Sequence, residues 1–478
     1  MNIDTSLADY LDSHQQDFID MADKIWSHPE IRFEEFKSSK LQADYLEAQG
    51  FRIRWDVGGI STAFVAEWGG DGPIMGFAGE YDALPGLSQK SQVEQEAIEE
   101  GGHGHGCGHN LLGTGCLAAA VALKDWLERQ NTHQNTPGTV RYFGCPAEEG
   151  GSGKVYMSRD GVFDDCAAIF NYHPGYVNYA SKGSMLGTQR MRFRFHGKTA
   201  HAAAMPHMGR SALDAVELTN VGCNYLREHV PTSARIHYVI ANGGLAANVV
   251  PDLAEVDYVA RAHLPHEVAE VAERVRRVAR GAAMMTETEL EEIFESGSSC
   301  VLNNHELSDV QYEVMQQLGG IDFSGEEQHY AAQVNHNSPA GNSMFVGKFL
   351  GLSSDTVGQD LIGDVFPALD TGKVFPASSD VGDMSWKAPV SMLNTACWPL
   401  NVAAHTWGVV ATGATGIGHK GMMYAAKVMA TSAAALLKHP ERLQAVRDEF
   451  DKATSETAYV SPIPDDKQAP SQPHPYRS

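Results

Sequence analysis

Short apolar segments alternate with long helices along the first part of this chain, and this alternation constrains the fold most strongly. The segments PIMGFAG, TVRYFGC and AAIFNY have the length and composition of buried strands. Apolar residues at helical spacing predict helices over Ser6 to Trp26, Glu34 to Gln49 and Leu111 to Arg129, the last with Asn110 as its N-cap. Strands that alternate with long helices are typical of an α/β layer architecture.

Polar side chains follow each of these three strands at the point where the apolar run stops. Glu80 and Asp82 follow the first strand, Glu148 and Glu149 the second, and His173 the third. In open α/β sheets the ligand crevice lies at the carboxyl ends of the strands. We therefore expect these residues, which are distant in sequence, to converge at one edge of the sheet.

The pattern changes between residues 185 and 298, where the order of elements becomes β-α-β-β-α-β. This order is the pattern of a ferredoxin-like α+β sandwich, and its length suits a small separate domain. We predict a first domain over residues 1–184 and 299–478, with residues 185–298 inserted into it. Residues 321–375 are poor in periodicity and rich in Gly, Ser and Asn, so we expect an irregular insertion there.

Composition excludes several classes of partner and compartment. The chain has 478 residues with 36 Lys and Arg against 60 Asp and Glu, a net charge of −24 that repels nucleic acid and anionic membranes. No apolar run approaches the roughly 18 residues that span a bilayer. Seven scattered cysteines without a C-x-x-C pair argue against a disulfide framework. The opening MNIDTSLADYLDS does not resemble a signal peptide, so we expect a cytoplasmic protein.

The tract HGHGCGHN, residues 103–110, is a candidate part of a metal site. Cys107 and His109 are two positions apart, and in an extended segment such side chains point the same way, so a thiolate and an imidazole face one ion. The alternative is a flexible glycine-rich loop with a free thiol. The tract by itself cannot close a site, so the other ligands must come from elsewhere.

Further candidate ligands lie elsewhere in the sequence, distant from this tract. Glu148 and Glu149 are adjacent carboxylates that suit a division of labour between general base and metal ligand, although an acidic turn in solvent is the alternative. His173 and His405 are each consistent with a metal ligand or with a hydrogen-bonded structural histidine. Together these residues form a mixed nitrogen, oxygen and sulfur set that is fit for two divalent ions.

Several motifs occur in a fixed order and resemble the M20 metallopeptidase family in its amidohydrolase branch. The motifs are SHPEIRFEE, GEYDALPG, GHGCGHN, PAEEGGSG, NYHPG, GKTAHAAAMPHMGRSALDA, NVVP and AHTW. The resemblance implies a mixed-sheet catalytic domain of the phosphorylase/hydrolase-like, zinc-peptidase type. It also implies that the inserted α+β domain is a ferredoxin-like lid or dimerisation domain.

The resemblance also implies roles for individual residues. Cys107 is the ligand shared by two metal ions, and the remaining ligands are His109, Glu149, His173 and His405. Glu148 is the general base, and Asp82 orients a site residue. His201 stabilises the oxyanion in the site of a neighbouring subunit, and Asn248 binds substrate. Arg210 and Arg261 are candidates for pairing with a substrate carboxylate. One departure is CGHN where many relatives read CGHD, so Asn110 supplies no charge.

The implied activity is metal-dependent hydrolysis of the amide bond in an N-acyl amino acid, with an aromatic acyl group on glutamate. Indole-acetyl or other N-acyl amino acids and dipeptides are alternative substrates, and a noncatalytic partner subunit of a heteromeric amidohydrolase is an alternative of another class. The cofactors implied are two divalent ions per subunit, Mn²⁺ or Zn²⁺. The expected assembly is a homodimer or a heteromer with a related subunit.

Overall fold

The computed structural model describes residues 3–131 and 137–477. Its strands, in chain order, are β1 (Arg52–Trp55), β2 (Phe64–Trp68), β3 (Ile74–Glu80), β4 (Thr139–Cys145), β5 (Ala168–Gly175), β6 (Tyr179–Ala180), β7 (Ser184–Met185), β8 (Gly187–His196), β9 (Arg235–Asn242), β10 (Leu253–Ala262), β11 (Glu289–Ser298), β12 (Val374–Phe375) and β13 (Val390–Ala396).

The α-helices surround these strands. In chain order they are α1 (Ser6–Ser13), α2 (Gln15–Ser27), α3 (Phe36–Ala48), α4 (His109–Asn131), α5 (Glu148–Gly151), α6 (Gly153–Arg159), α7 (Ala212–Leu226), α8 (Pro265–Thr286), α9 (His305–Leu318), α10 (Gly325–Asn337), α11 (Asn342–Leu350), α12 (Ser354–Val357), α13 (Val381–Ser385), α14 (Trp407–Thr412), α15 (Gly416–Lys438) and α16 (Pro440–Thr454). Among the helices of the described ranges, none combines the length and apolar character needed to cross a bilayer.

Within the described residues, the larger sheet has seven strands in the order β1-β2-β4-β3-β5-β13-β6. The four central strands β4, β3, β5 and β13 run parallel, whereas the pairings of β1 with β2, β2 with β4 and β13 with β6 are antiparallel. The carboxyl ends of the parallel strands therefore meet at one edge. This edge is where the sequence predicted that the chemistry-bearing residues converge.

Both faces of this sheet are covered, as a parallel sheet requires. Val140 and Tyr142 of β4 pack into the cluster that includes α4 and α15, whereas Phe143 and Cys145 pack into the opposite cluster that includes α6 and α13. This alternation follows from the two-residue period of a strand. The core consequently lies in two layers, one on each face of the sheet.

The second sheet has the strand order β11-β8-β10-β9 and is antiparallel throughout, in the part of the chain that the structure describes. Helices α7 and α8 cover one face of it and share a hydrophobic core with it. This β-α-β-β-α-β unit matches the ferredoxin-like pattern. The prediction of a mixed α/β fold is confirmed, whereas a lid or dimerisation role for the unit stays a prediction.

Residues 321–375 contain three helices, so the expectation of an irregular segment was wrong. Helix α10 begins with a capping box, in which the Ser324 hydroxyl accepts from the Glu327 backbone N–H at 3.2 Å and the Glu327 carboxylate accepts from the Ser324 N–H at 2.6 Å. Only Ala331 and Val334 of this helix are buried, which explains its weak hydrophobic periodicity. The S-x-x-E pattern is the sequence signal that identifies it.

Asn110 is not the N-cap of its helix, which corrects a second expectation. Helix α4 already begins at His109, and the carbonyl of Gly108, at φ +73°, accepts from the Leu112 N–H at 3.0 Å. The Asn110 side chain instead donates to the carbonyl of Gly413 at 3.0 Å, next to the end of α14. The glycine can adopt the left-handed turn without strain, so the helix starts earlier.

A buried ion network lies under the carboxyl edge of the larger sheet. Lys154 of α6 places its Nζ 2.8 Å from Glu80 Oε1 and 2.5 Å from Asp380 Oδ1, and all three side chains are buried. The Lys154 backbone N–H also donates to the second oxygen of Asp380 at 2.8 Å. Buried charges of this kind are tolerated because each is paired.

We expect Lys154→Met to lower the free energy of unfolding by about 3–5 kcal/mol, because it leaves two buried carboxylates without their cation. Denaturant unfolding followed by circular dichroism measures the change. Lys40→Met is the matched control, since Lys40 pairs with Asp44 at the surface and such pairs contribute about 0.3–0.5 kcal/mol. Equal effects of the two substitutions would contradict the importance of the network.

Candidate metal centre

Cys107, His109 and His173 form the first group of candidate ligands. One ligand atom from each lies within 4.8 Å of the others, and His173 Nε2 is 3.4 Å from Cys107 Sγ. The backbone turn at Gly108 brings Cys107 beside the first turn of α4, where His109 lies. His173 stands near the end of β5, and its Nδ1 contacts the Pro174 carbonyl at 2.7 Å, which leaves Nε2 as the ligand nitrogen.

Cys107, Glu149 and His405 form the second group, again with ligand atoms within 4.8 Å of one another. His405 Nε2 lies 3.2 Å from Glu149 Oε1. The His405 backbone N–H donates to the Gly106 carbonyl at 2.8 Å, and His405 has φ +60°, a strained conformation for a non-glycine residue. The two groups share Cys107, so its Sγ could serve as a ligand in either of them.

Asp82 contacts one residue of each ligand group. Its Oδ1 lies 2.8 Å from Nδ1 of His109, and its Oδ2 accepts from the backbone N–H of Glu149 at 2.8 Å. The carboxylate is buried. Contact at Nδ1 selects the His109 tautomer whose Nε2 faces the site, as is usual for metal-ligating histidines.

Glu148 lies beside these groups without a hydrogen-bonded partner for its carboxylate among the described residues. Its carboxylate, Nε2 of His109 and the carboxylate of Glu80 lie within 4.8 Å of one another. Burial raises the pKa of Glu148 well above the usual carboxyl range, and the charges of Glu80, Glu149 and Asp380 raise it further. Cations beside it would lower this pKa and favour the carboxylate form.

Glu35, which the sequence reasoning did not single out, holds the turn that presents Glu148. Its buried Oε1 accepts from the backbone N–H groups of Ala147 at 2.8 Å and Phe33 at 2.9 Å, and its Oε2 accepts from the Thr62 hydroxyl at 2.9 Å. Ala147 has φ +60°, so the chain turns sharply after β4. The motif SHPEIRFEE, in which Glu35 is the last residue, was the signal available for it.

The residues of the two groups fit divalent ions. Burial by itself raises the pKa of the Cys107 thiol, but His173 and His109 outweigh it and hold this pKa well below its usual range, which favours the metal-binding thiolate. The neighbouring Cys107 and Glu149 side chains raise the pKa of His405 to about 11. The buried Nε2 of His109 and Oε1 of Glu149 have no partner in hydrogen-bond geometry among the described residues. Bound ions would displace protons from the imidazoles, so we expect ion affinity to rise with pH.

His201 and Asn248 lie apart from these groups, on the second sheet unit. Both residues are exposed, and the backbone N–H of Ala202 donates to the Asn248 carbonyl at 3.0 Å. Nδ1 of His201 accepts from the backbone N–H groups of Ala203 and Ala204 at 3.2 and 3.1 Å. The proton of the neutral ring is therefore on Nε2, which is free to donate.

The two candidate arginines differ in their environment. The Arg210 guanidinium is engaged with Glu287 at 2.8 Å and with the carbonyl of Gly209 at 2.7 Å, which leaves it poorly placed for a substrate carboxylate. Arg261 donates to the Ser378 hydroxyl at 2.8 Å and, within the described residues, pairs with no acidic group. The geometry favours Arg261 of the two.

The other histidines of the tract lie outside both groups. His105 is buried with its Nε2 3.2 Å from the Ile25 carbonyl, and burial lowers the pKa of its ring to about 4. His103 joins no cluster of potential ligands in the described ranges. From this tract, therefore, Cys107 and His109 are the side chains that face the ion positions.

Comparison with known proteins agrees with the geometry. The sequence model that represents peptidase family M20/M25/M40 matches residues 76–353 of this chain. The chain is 42% identical over 472 residues to one of the subunits of p-aminobenzoyl-glutamate hydrolase from Escherichia coli (strain K12), covering 96% of this chain and 97% of that protein.

Two solved structures share the fold. The aminobenzoyl-glutamate utilization protein from Klebsiella pneumoniae has a TM-score of 0.59 at 19% identity, over 91% of this chain and 98% of that one. A dinuclear metal binding peptidase from the M20 family of Bacillus subtilis has a TM-score of 0.58 at 20% identity, over 89% of this chain and 99% of that one. The predicted family is confirmed: this chain belongs to peptidase family M20/M25/M40 and is a metal-dependent hydrolase of amide bonds.

Proposed function

We propose that this protein hydrolyses the amide bond of aminobenzoyl-glutamate and closely similar N-acyl amino acids. The observation that carries this proposal is the pair of ligand groups sharing Cys107, with the Glu148 carboxylate beside them. The similarity to the p-aminobenzoyl-glutamate hydrolase of Escherichia coli over nearly the whole chain supports the choice of substrate.

Two ions would be held by Cys107, His109 and His173 and by Cys107, Glu149 and His405. Divalent ions bound there would supply the Lewis acidity needed to activate a water and polarise the amide carbonyl. A thiolate favours Zn²⁺, whereas carboxylate and imidazole ligands also suit Mn²⁺, so both remain candidates.

The chain's own residues would move the protons. Glu148 accepts the proton of the attacking water and then returns it to the departing amine. His201 Nε2 donates a hydrogen bond to the oxyanion that develops on the carbonyl oxygen when water attacks the carbonyl carbon. Asn248 and Arg261 bind the amino-acid portion of the substrate. The Arg261 guanidinium pairs with the carboxylate of the substrate.

A second subunit is expected to complete the site. His201 and the ligand groups lie on different units of the chain, and β9 is an edge strand whose Tyr238, Val239 and Ile240 are 39%, 61% and 43% exposed. An unpaired edge with apolar side chains is a surface for pairing with another chain. A homodimer or a heteromer with a related subunit would cover it. The cytoplasmic location inferred from the sequence stays a prediction.

We expect Glu148→Gln to lower the rate of amide hydrolysis by about 10²–10⁴-fold, because the amide cannot accept the water proton. Steady-state kinetics and metal analysis are measured on the same preparation, and the metal content should stay close to that of the unsubstituted protein. Glu34→Gln, at an exposed glutamate outside the site, is the control and should keep full activity. Full activity in Glu148→Gln would refute the assigned base.

The assignment of His201 to a neighbouring site predicts complementation. His201→Ala and Glu148→Gln chains are each expected to be inactive, and co-assembly of the two should restore part of the activity, since one mixed site carries both functional residues. Refolding or co-expression followed by an activity assay measures this. A mixture of two preparations of His201→Ala provides the control. Mixed oligomers without activity would rule out the arrangement across subunits.

A substrate panel tests the activity itself. Aminobenzoyl-glutamate, hippurate, indole-acetyl-aspartate and a dipeptide are compared with Mn²⁺ and with Zn²⁺, and we expect the highest kcat/KM for aminobenzoyl-glutamate. A preference for another member would reassign the substrate. Hydrolysis of none of them by the metal-loaded protein would favour the noncatalytic partner subunit.

A further inference from the structure

Strand β8 carries three arginines at alternate positions, so Arg190, Arg192 and Arg194 share one face of the second sheet. Two of them face an acid across the strand pair. Arg192 Nε lies 2.5 Å from Asp257 Oδ1, and Arg194 Nε lies 2.5 Å from Glu255 Oε1.

Arg190 breaks this pattern. The register places it opposite Val259 of β10 and Ser296 of β11, and neither side chain offers a negative charge. The first arginine of the row therefore has no acid across the strands, although the other two are neutralised.

Arg190 extends instead toward the loop that carries Glu149. Its Nη1 lies 3.0 Å from the position that a β-carbon would occupy at Gly150, and Nη1 of Arg32 lies 3.0 Å from the same position. Both guanidinium groups thus lie over Gly150, and their Nη1 atoms are no further apart than the sum of these two distances. Arg32 Nη1 also contacts the Glu149 carbonyl at 3.3 Å.

Neither arginine forms an ion pair with a carboxylate within the described residues. This absence is informative because the chain has 60 acidic residues against 36 Lys and Arg. Arg261 lies near them, and burial, together with the positive charge of Arg190, lowers the pKa of Arg261. Like charges held together next to a catalytic loop are stabilised when an anion lies between them.

We propose that Arg32 and Arg190 form a subsite for the second carboxylate of the substrate, the side-chain carboxylate of an N-acylated acidic amino acid. This inference rests on the proposed function, in which Arg261 takes the other carboxylate. The subsite lies beside Gly150, next to the candidate ligand Glu149, so it receives the amino-acid side of the scissile amide. A substrate with a neutral side chain leaves both guanidinium groups unpaired, and the pair therefore selects acidic amino acids.

The test compares aminobenzoyl-glutamate with aminobenzoyl-glutamine, which has the same shape and no side-chain charge. We expect the protein to prefer the glutamate conjugate, and Arg190→Gln and Arg32→Gln to lower kcat/KM for it on the order of ten- to hundred-fold, mainly through KM. The same variants should change the glutamine conjugate little. Arg190→Lys should restore part of the preference, and high salt should weaken it.

Arg192→Gln is the matched control, because Arg192 lies on the same strand face and already pairs with Asp257. It should keep the preference. Titration of the Glu148→Gln protein with each conjugate gives a second readout in binding, independent of turnover, and circular dichroism verifies that the variants fold.

The outcomes separate the two proposals. A preference that survives in the Arg32→Gln/Arg190→Gln double variant, or an equal loss for both conjugates, overturns the subsite and leaves the hydrolase assignment intact. Failure of the unsubstituted, metal-loaded protein to hydrolyse either conjugate overturns the proposed function and the subsite with it.

Discussion

The buried carboxylate of Asp82 is the interaction on which the arrangement of the site depends. It contacts the ring of His109 at the start of α4 and the backbone N–H of Glu149 after β4, each at 2.8 Å. A buried carboxylate is costly unless its oxygens are paired, so both contacts are strongly favoured in the folded state. The two contacts fix the spacing between the segment that carries Cys107 and His109 and the loop that carries Glu149.

The surroundings of the site concentrate buried charge to an unusual degree. Glu35, Glu80 and Asp380 are buried within the same region, and Lys154 is the cation that offsets two of them. Burial and neighbouring acids raise the pKa of Glu148, so the site is arranged for cations beside it. The stabilising contacts within these pairs hold the functional groups in position before any substrate binds.

Much of this organisation was predictable because it depends on local pattern. The parallel strands and the β-α-β-β-α-β unit follow from hydrophobic periodicity. Short sequence motifs carry the candidate ligands Cys107, His109, Glu149, His173 and His405. Hydrophobic periodicity failed where a cap decides the structure, as at Ser324 in α10, and where a glycine turn starts a helix early, as at Gly108. It also missed Lys154 and Glu35, because a buried ionic residue has no periodic signature.

The sequence by itself determined the fold class, the family and the residue types available for metal binding and proton transfer, since these are properties of pattern and motif. Only the tertiary structure decided which residues meet. It brought Cys107 into both ligand groups and paired Arg210 with Glu287. It also left Arg190 and Arg32 without an acidic partner among the described residues. The reason is physical: pairing of charges depends on distance and strand register between segments far apart in sequence, and no local pattern encodes those.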